Sequence, residues 1–457
     1  MRPSRARPGA LPPMIESQTS AVRGPASAGT LLALAAVAFS PVAAALAAPV
    51  APQSPTKDPV PAVDAPAAPE APEQAAERRR AERRAAQAAL DERYVFGPSA
   101  ADDFGYRIVW QTEPLATLDA SMQVLNASED SYWMGDSAGS VVRIRRDNGE
   151  VVWRASTNQG VERMVGIEYL PTPRHDNAYV VNELGMVTLD AVTGNVLRRA
   201  RFSQLPATEP SVFGSYLVFG TRTGLTSWFQ YVTGYNWRST TIGGAVNGRI
   251  TIAGDLALAA GTNGTVMALS AGTAGVAWTR KLAAGVEAPI AADDMACYVA
   301  GRDQSLWAFD LMRGRVLWQY FTQTPLINPP ARVGDGLYLQ IPGEGLVSFV
   351  PQPNEKPDGE VRWKSKAPGN VLAQVRSDVM AWDRASRTLT AVDVATGRIV
   401  RQARLPKVEA VRFGADSTMV VASADGRVQR LETLARSAAE AASARESAAA
   451  APQSSSR

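Results

Sequence analysis

The stretch AFDLMRGRVLWQYF, residues 308–321, predicts two β-strands joined by a tight turn that ends at Gly314. Three further stretches have the same layout: TLDAVTGNVLRRARF at 188–202, ALSAGTAGVAWTRKL at 268–282 and AVDVATGRIVRQARL at 391–405. Four versions of one pattern in a single chain indicate a repeat protein. The period of the repeat therefore decides the fold.

The turn position of this repeat recurs along the chain at intervals of 38 to 45 residues. It is occupied by Gly149, Gly194, Gly234, Ala274, Gly314, Gly359 and Gly397. Such a period lies in the range of propeller blades. Between the turns, segments such as MACYVAG and GSYLVFG alternate apolar and β-branched residues, which favours strands. Four short strands per period make one blade of a β-propeller.

Three positions of the repeat have a physical role. Glycine at the turn permits the positive φ that a tight connection between antiparallel strands requires. The aspartate four residues earlier, present as Asp190, Asp310 and Asp393, can accept hydrogen bonds from the amides of the turn. The tryptophan four residues later offers a flat surface to a neighbouring sheet. It is present as Trp153, Trp278, Trp318 and Trp363.

The two ends of the repeat region predict how the ring closes. The segment RIVWQ at 107–111, with Trp110, matches RVLWQ at 315–319 but has no inner strands before it. The segments within 408–432 supply three inner strands with no outer strand after them. We expect 107–111 to pair onto 427–432, because this hides both open sheet edges. Outer strands then begin near 107, 150, 195, 235, 275, 315, 360 and 398, which predicts an all-β, eight-bladed propeller of four-stranded antiparallel blades.

The turn sequences LDAVTG at 189–194, FDLMRGRVLW at 309–318 and VDVATG at 392–397 resemble the tryptophan-docking motif of pyrroloquinoline-quinone (PQQ) type propellers. That superfamily contains eight-bladed quinoprotein alcohol dehydrogenases and the non-enzymatic propeller subunit of the bacterial outer-membrane barrel-assembly machinery. This chain departs from the motif in several blades. Arg198 and Arg401 replace tryptophan, Trp237 is shifted by one place, and Ala274 takes one glycine position.

The resemblance implies opposite functions in the two branches. The dehydrogenases use insertions to build a chamber for PQQ, bind calcium through Glu, Asn and Asp, and often carry a vicinal disulfide. This chain has about 40 residues per blade and a single cysteine, Cys297. The acidic residues Asp293, Asp294 and Asp335 fall in short turns. We therefore expect no catalytic, cofactor-binding or metal-binding residue, with PQQ and calcium as the alternative.

Single residues support the same expectation. Cys297 lies in an apolar strand pattern and is read as a buried residue. The one histidine, His175, lies among turn formers and is read as a solvated loop residue. Neither a His/Cys zinc site nor a Ser-His-Asp triad of the usual kind has the residues it needs. The net charge of +3 gives no argument for nucleic acid binding.

The flanks of the propeller predict export. Residues 1–47 read as a signal peptide, with an apolar stretch at 29–47, and an uncleaved membrane anchor is the alternative. Residues 48–104 read as a Pro/Ala-rich linker that contains a charged helical spacer at 73–93. The folded unit is expected at 105–433, and 434–457 reads as an Ala/Ser/Glu tail. The predicted location is the periplasm or the outer membrane surface.

One candidate interaction site stands out in the segment 224–238. Trp228, Phe229, Tyr231, Tyr235 and Trp237 crowd one blade, and exposed aromatic side chains are frequent interface anchors. The alternative is that they fill a gap between blades. The predicted function is a non-catalytic, monomeric interaction scaffold that binds envelope proteins, with a barrel-assembly role as its most concrete form. A PQQ-dependent oxidoreductase and a polysaccharide-binding propeller are the alternatives.

Overall fold

The computed structural model describes residues 72–115, 119–157, 162–172, 175–352 and 357–434. This part of the chain begins with helices α1 (Pro72–Arg93) and α2 (Pro98–Asp103), which are followed by strand β1 (Tyr106–Thr112). The strands after β1 form seven groups of four and a last group of three. The predicted signal peptide, the linker up to residue 71 and the tail beyond Leu434 lie outside the described residues.

Each blade runs from an inner strand, next to the central channel, to an outer strand. Blade 1 contains β2 (Met122–Ala127), β3 (Ser131–Asp136), β4 (Ser140–Arg145) and β5 (Val151–Ser156); blade 2 contains β6 (Met164–Pro171), β7 (Asp176–Asn182), β8 (Gly185–Asp190) and β9 (Val196–Arg201). Blade 3 contains β10 (Ser211–Phe213), β11 (Tyr216–Gly220), β12 (Leu225–Gln230) and β13 (Tyr235–Thr241); blade 4 contains β14 (Thr251–Ala253), β15 (Leu256–Ala260), β16 (Thr265–Ser270) and β17 (Val276–Lys281). Blade 5 contains β18 (Ala291–Ala292), β19 (Ala296–Gly301), β20 (Ser305–Asp310) and β21 (Val316–Phe321); blade 6 contains β22 (Ala331–Val333), β23 (Gly336–Ile341), β24 (Gly345–Phe349) and β25 (Val361–Ser365). Blade 7 contains β26 (Asn370–Val375), β27 (Asp378–Asp383), β28 (Thr388–Asp393) and β29 (Ile399–Arg404); blade 8 contains β30 (Val408–Phe413), β31 (Met419–Ser423), β32 (Val428–Thr433) and β1.

The observed sheets confirm the predicted eight-bladed, all-β propeller. Every blade is a four-stranded antiparallel sheet, and the outer strands begin within one residue of the predicted positions. In blade 8, β1 pairs antiparallel with β32 from Tyr106↔Thr433 to Thr112↔Val428. A register shift between Ile108 and Trp110 interrupts this pairing. The N-terminal strand therefore closes the ring as the sequence predicts.

The apolar core is divided among the interfaces between blades. Each pair of neighbouring blades encloses one cluster of buried apolar side chains. Because a middle strand is covered on both faces, its residues are buried without alternation. In β3 and β19 all six residues are buried. Cys297 lies in β19 and is fully buried, and burial raises the pKa of its thiol to about 12.

The antiparallel order gives the ring two distinct faces. In blades 1 to 7 the first and third turns lie at one end of the strands, which we call the turn face, and this end carries the turn glycines. The second turn and the connection to the next blade lie at the other end, which we call the crossover face. His175 is exposed in the first turn of blade 2, on the turn face, as predicted.

The segment before β1 is part of the folded unit. Val95 and Phe96 are 3% and 0% exposed and join the apolar cluster between blades 7 and 8. The side chain of Gln429, on β32, accepts a hydrogen bond from the Phe96 amide at 2.7 Å and donates one to the Phe96 carbonyl at 3.0 Å. The predicted start of the folded unit at residue 105 is therefore too late. Helix α1 covers the predicted spacer at 73–93.

Candidate interaction surface

The repeat tryptophans join neighbouring blades. The indole N–H of Trp153 donates to the carbonyl oxygen of Ala191 in the next blade at 2.8 Å, and Trp278 bonds Leu311 in the same way. Each acceptor lies three residues before a turn glycine. Equivalent bonds join blades through Trp110, Trp318 and Trp363, at 3.1, 2.8 and 2.7 Å. These residues hold the ring together and are not free to bind a partner.

The turn glycines provide the space that the tryptophans need. At Gly314 the backbone has a φ of +65°, and a Cβ atom would lie 2.5 Å from the Trp278 ring. Gly149, Gly194 and Gly397 show the same combination against Trp110, Trp153 and Trp363. Gly359 does not have a positive φ, because the turn before it is extended, but a Cβ atom there would lie 2.8 Å from the ring of Trp318 in the preceding blade. Ala274 adopts a φ of 55° in its turn despite its side chain.

The repeat aspartates order the turns as predicted. An oxygen of Asp190 accepts hydrogen bonds from the amides of Val192 and Thr193, at 3.0 and 2.7 Å. Asp310 and Asp393 make the corresponding bonds in blades 5 and 7. Hydrogen bonds from the amide and hydroxyl of Thr193 hold the pKa of Asp190 below the usual range of an aspartate, and those from the hydroxyl and amide of Thr396 do the same for Asp393. The aspartates therefore have a structural role in the turns.

Two blades replace the missing tryptophan with other donors. Arg198 donates to the carbonyl of Tyr231 at 2.7 Å, and a Cβ atom on Gly234 would meet its guanidinium. In blade 3 the donor is Trp228, whose indole bonds the carbonyl of Ala271 at 2.9 Å. Both acceptors again lie three residues before the turn position. Arg401 differs, since its guanidinium pairs with Asp378 of its own blade at 3.1 Å.

The aromatic group of blade 3 is mostly internal, which corrects its prediction as an exposed site. Trp228, Phe229 and Tyr231 are 0%, 1% and 6% exposed. Phe229 and Tyr231 pack in the cluster between blades 2 and 3. The ring centroid of Tyr231 lies 4.7 Å from that of Tyr179. Trp237 packs on Tyr216 at 4.8 Å, with Arg238 over its ring.

Tyr235 is the one member of this group with a half-exposed side chain, at 50%. The sequence alternative, that these aromatic residues fill space between blades, describes the other members. The reason is that β12 is a middle strand, so both faces of it are covered by neighbouring blades.

An apolar groove lies on the crossover face between blades 2 and 3. It has a volume of about 370 Å³, and its floor and rim are formed by Leu184, Leu205, Pro206 and Thr221. Leu184 is 48% exposed and Leu205 is 54% exposed. Glu183 and Arg222 place opposite charges at the rim. The groove thus combines exposed leucines with a charged border, as protein interfaces do.

The sequence contains a signal for this groove that lies outside the repeat motif. Leu184 occupies a short turn between two strands, where Gly, Asn or Asp is usual. Leu205 and Pro206 occupy a connection between blades rather than a strand. Large apolar residues in solvated connections are informative because nothing in the local structure needs them there.

A second, polar cleft of about 870 Å³ lies on the turn face between blades 8 and 1. Its arginines are engaged by neighbouring carboxylates. Arg143 pairs with Asp130 at 2.8 Å, and the buried Arg430 pairs with Glu432 at 2.6 Å. Arg146 of blade 1 pairs with an aspartate of blade 8 at 2.9 Å. Of these three pairs, the one made by Arg146 crosses between blades 8 and 1 and joins them.

The family model of the outer membrane protein assembly factor BamB matches residues 106–236 and 221–354. Together the two matches span more than half of the 457 residues. The chain belongs to the BamB family. No curated protein matches it in sequence.

Two solved structures share the fold of this BamB-family chain. BamB from Moraxella catarrhalis superposes with a TM-score of 0.57 at 17% identity, over 72% of this chain and 97% of that chain. The computationally designed protein Ika8 gives 0.55 at 13% identity, over 69% and 98%. At these identities the matches show the fold alone.

Carboxylates near the central channel of this BamB-family propeller are held by arginines. Glu409 pairs with both Arg384 and Arg387. Glu168 lies 3.7 Å from Arg249, and one of its oxygens is buried without a hydrogen-bond partner among the described residues. Burial raises the pKa of Glu168 to about 7, although Arg249 opposes the shift.

The predicted turn residue Asp293 is also engaged, since it accepts hydrogen bonds from Tyr298 at 2.8 Å and Arg332 at 2.9 Å. In the described part of the chain, no three His, Cys, Asp or Glu residues are grouped so that they could hold a metal ion. No described helix is long and apolar enough to span a membrane.

Proposed function

We propose that this BamB-family propeller is a non-catalytic scaffold of the cell envelope that binds a protein partner in the groove between blades 2 and 3. The observation that carries this proposal is the pair of half-exposed leucines, Leu184 and Leu205, on a rigid face. Family membership supports a scaffold role. We further propose that the chain is exported and acts as a monomer.

The groove indicates the chemistry of the partner. Burial of a leucine side chain contributes about 1.5–3 kcal/mol, so two leucines can anchor a loop or strand that carries apolar side chains. The partner should also place an acidic group near Arg222, whereas Glu183 already lies 4.0 Å from Arg163. A groove of this size takes a few side chains, which fits a local anchor within a wider contact.

We propose that the scaffold works without a cofactor. The PQQ alternative needs carboxylates that are free to bind calcium, whereas Glu409 is paired with two arginines and Asp293 with one. The polysaccharide alternative needs exposed aromatic side chains, whereas Trp228 and Tyr231 are buried. Binding of a protein partner in the groove needs neither free carboxylates nor exposed aromatic side chains.

The test is crosslinked affinity purification of the full-length chain from the native envelope. A Leu184→Asp/Leu205→Asp variant is compared with the parent and with a matched control, Met295→Asp/Met312→Asp. Met295 and Met312 are 64% and 68% exposed and lie on the turn face. Recovered proteins are identified by mass spectrometry, and the melting temperatures of the variants are compared with that of the parent.

The expected result is that the leucine variant loses a defined envelope protein that the parent and the methionine variant retain, with melting temperatures nearly equal. Retention by the leucine variant would remove the groove from the proposal. A parent chain recovered alone would contradict the scaffold function itself and move attention to a small ligand.

A further inference from the structure

Helix α1 gathers four arginines on one side. Four arginines, Arg79, Arg80, Arg83 and Arg84, fall within an arc of about 140° at 100° per residue. Between residues 76 and 87 this arc contains no acidic residue, and Glu73 and Asp91 lie in the arc nearer the two ends of the helix. The acidic residues of the same turns, Glu77 and Glu82, lie outside this arc, with Glu77 about 20° beyond Arg84, and Glu82 is 3.6 Å from Arg78. We call the four-arginine side the arginine face.

The arginine face carries a local electrostatic cost. Its members are spaced as Arg79/Arg83 and Arg80/Arg84, and like charges at this i,i+4 spacing destabilise a helix. None of the four guanidinium groups forms an ion pair with another described residue, and all four side chains are exposed. Most of the remaining residues of α1 are strong helix formers, and the arginine repulsion is one feature of the sequence that opposes the helix. An external anion would remove it.

The end of α1 nearer the propeller is fixed. Gln87 donates to Ser99 at 2.9 Å, and the Ser99 amide donates to Asp91 at 2.9 Å. Lys407, in the connection before blade 8, bonds the carbonyl of Glu92. The arginine face lies N-terminal to these contacts. A surface that binds the arginine face is therefore held close to the rim of blade 8.

The spread of the arginines indicates the type of anion. Residues 79 to 84 rise about 8 Å along the helix, so one small anion cannot meet all four guanidinium groups. A surface that carries many phosphates can meet them together. The apolar content of α1 is almost entirely alanine, so the helix can lie on a bilayer surface but has no large apolar face with which to insert.

We propose that the arginine face of α1 binds the phosphate headgroups of an anionic lipid bilayer and holds the rim of the propeller against the membrane. This interaction is electrostatic, at the headgroup level, and is independent of the groove between blades 2 and 3. Each basic residue near such a surface adds favourable free energy that falls off within a Debye length. Binding therefore weakens strongly with salt.

The experiment is vesicle co-sedimentation of the full-length chain. Vesicles of phosphatidylcholine are compared with vesicles that contain about one third phosphatidylglycerol. The readout is the difference between the two, so retention by the apolar stretch 29–47 cancels. The test variant is Arg79→Gln/Arg80→Gln/Arg83→Gln/Arg84→Gln. The control variant loses the same charge from exposed arginines of blades 5 to 7 and is Arg313→Gln/Arg362→Gln/Arg398→Gln/Arg404→Gln.

The expected result is that the parent and the control bind anionic vesicles, and that the test variant binds about 100-fold less tightly at low salt. Binding by the parent should disappear at about 0.5 M sodium chloride. Equal loss in both variants would show that only net charge matters and would overturn the proposal. So would a parent that ignores the anionic lipid, or one whose vesicle binding is abolished by a stoichiometric amount of free pyrophosphate, since that would show a site for a small anion.

Discussion

Replacement of Phe96 by alanine should destabilise the propeller, although Phe96 lies outside the 32 strands of the described residues. The side chain is fully buried and meets the ring of Phe104 edge-on, at 6.2 Å and 86°. It fills the cluster between blades 7 and 8 together with Val95. The change leaves a cavity that the two sheets cannot close without moving. A buried Phe→Ala change of this kind costs about 3–5 kcal/mol.

The free energy of unfolding lost in the Phe96 variant cannot exceed the free energy with which residues 94–104 pack against the propeller. If packing of residues 94–104 against the propeller contributes less than the cavity costs, about 3–5 kcal/mol, the whole segment detaches in the variant and the cavity does not form. Release would break both hydrogen bonds between Gln429 and Phe96 and leave the fully buried Gln429 without them. It would also free Val95, whose amide donates to Gln111 at 2.8 Å. Both routes therefore destabilise, and they differ in whether the Val95 and Phe96 amides stay protected.

The assay is urea unfolding of the full-length chain, combined with hydrogen exchange at the Val95 and Phe96 amides. The matched control is Phe321→Ala, because Phe321 is 60% exposed and its loss should cost less than about 0.5 kcal/mol. Fast exchange at both amides in the Phe96 variant would identify release of the segment. A Phe96 variant as stable as the Phe321 variant, with both amides protected, would refute the reasoning.

Three further changes test other parts of the structure. Gly314→Ala should cost more than about 3 kcal/mol, because its Cβ would lie 2.5 Å from Trp278, whereas Gly254→Ala, with a similar positive φ and open space, should cost only about 1 kcal/mol; denaturant midpoints compare the two. Trp228→Ala should cost about 3–5 kcal/mol and give a melting temperature well below that of the parent, whereas an exposed interface anchor would change it little. Burial raises the pKa of Glu168 to about 7, so the stability that its protonated form contributes is present below about pH 4.5 and is lost as the pH rises through 7. Glu168→Gln should therefore stabilise the protein by up to about 3 kcal/mol at pH 8 and little at pH 5. Equal effects of the substitution at pH 5 and pH 8 would contradict the raised pKa.

The architecture could be predicted because each repeat contains the residues that determine its turn and its contact with the next blade. A turn such as Asp310–Gly314, followed by Trp318, specifies the hydrogen bonds of the turn, the backbone conformation and the contact with the next blade. All three depend on residues that are near in sequence or one period away. The blade count and the closing strand follow from counting the repeats, and they agree with the observed sheets.

The contacts outside the repeat could not be predicted in this way. Phe96 and Gln429 are 333 residues apart and belong to no shared pattern, so nothing local indicates that they meet. Strand alternation places some aromatic residues of blade 3 outward, and this rule fails for a strand that is covered on both faces. The groove of Leu184 and Leu205 joins two connections of different types. The repeat period predicts the strands, but it does not predict which residues of the connections lie next to each other.

The interface between blades 7 and 8 shows why the N-terminal segment belongs to the ring. Arg401 stands where other blades place a tryptophan, and it pairs with Asp378 of its own blade, so it does not bind the next one. Blade 8 has no third turn, because its outer strand is β1, and it therefore has no turn glycine to receive a tryptophan. Val95, Phe96, Ala101 and Phe104 fill this interface instead. This segment is continuous with α1, so any surface that binds α1 is connected directly to the interface between blades 7 and 8.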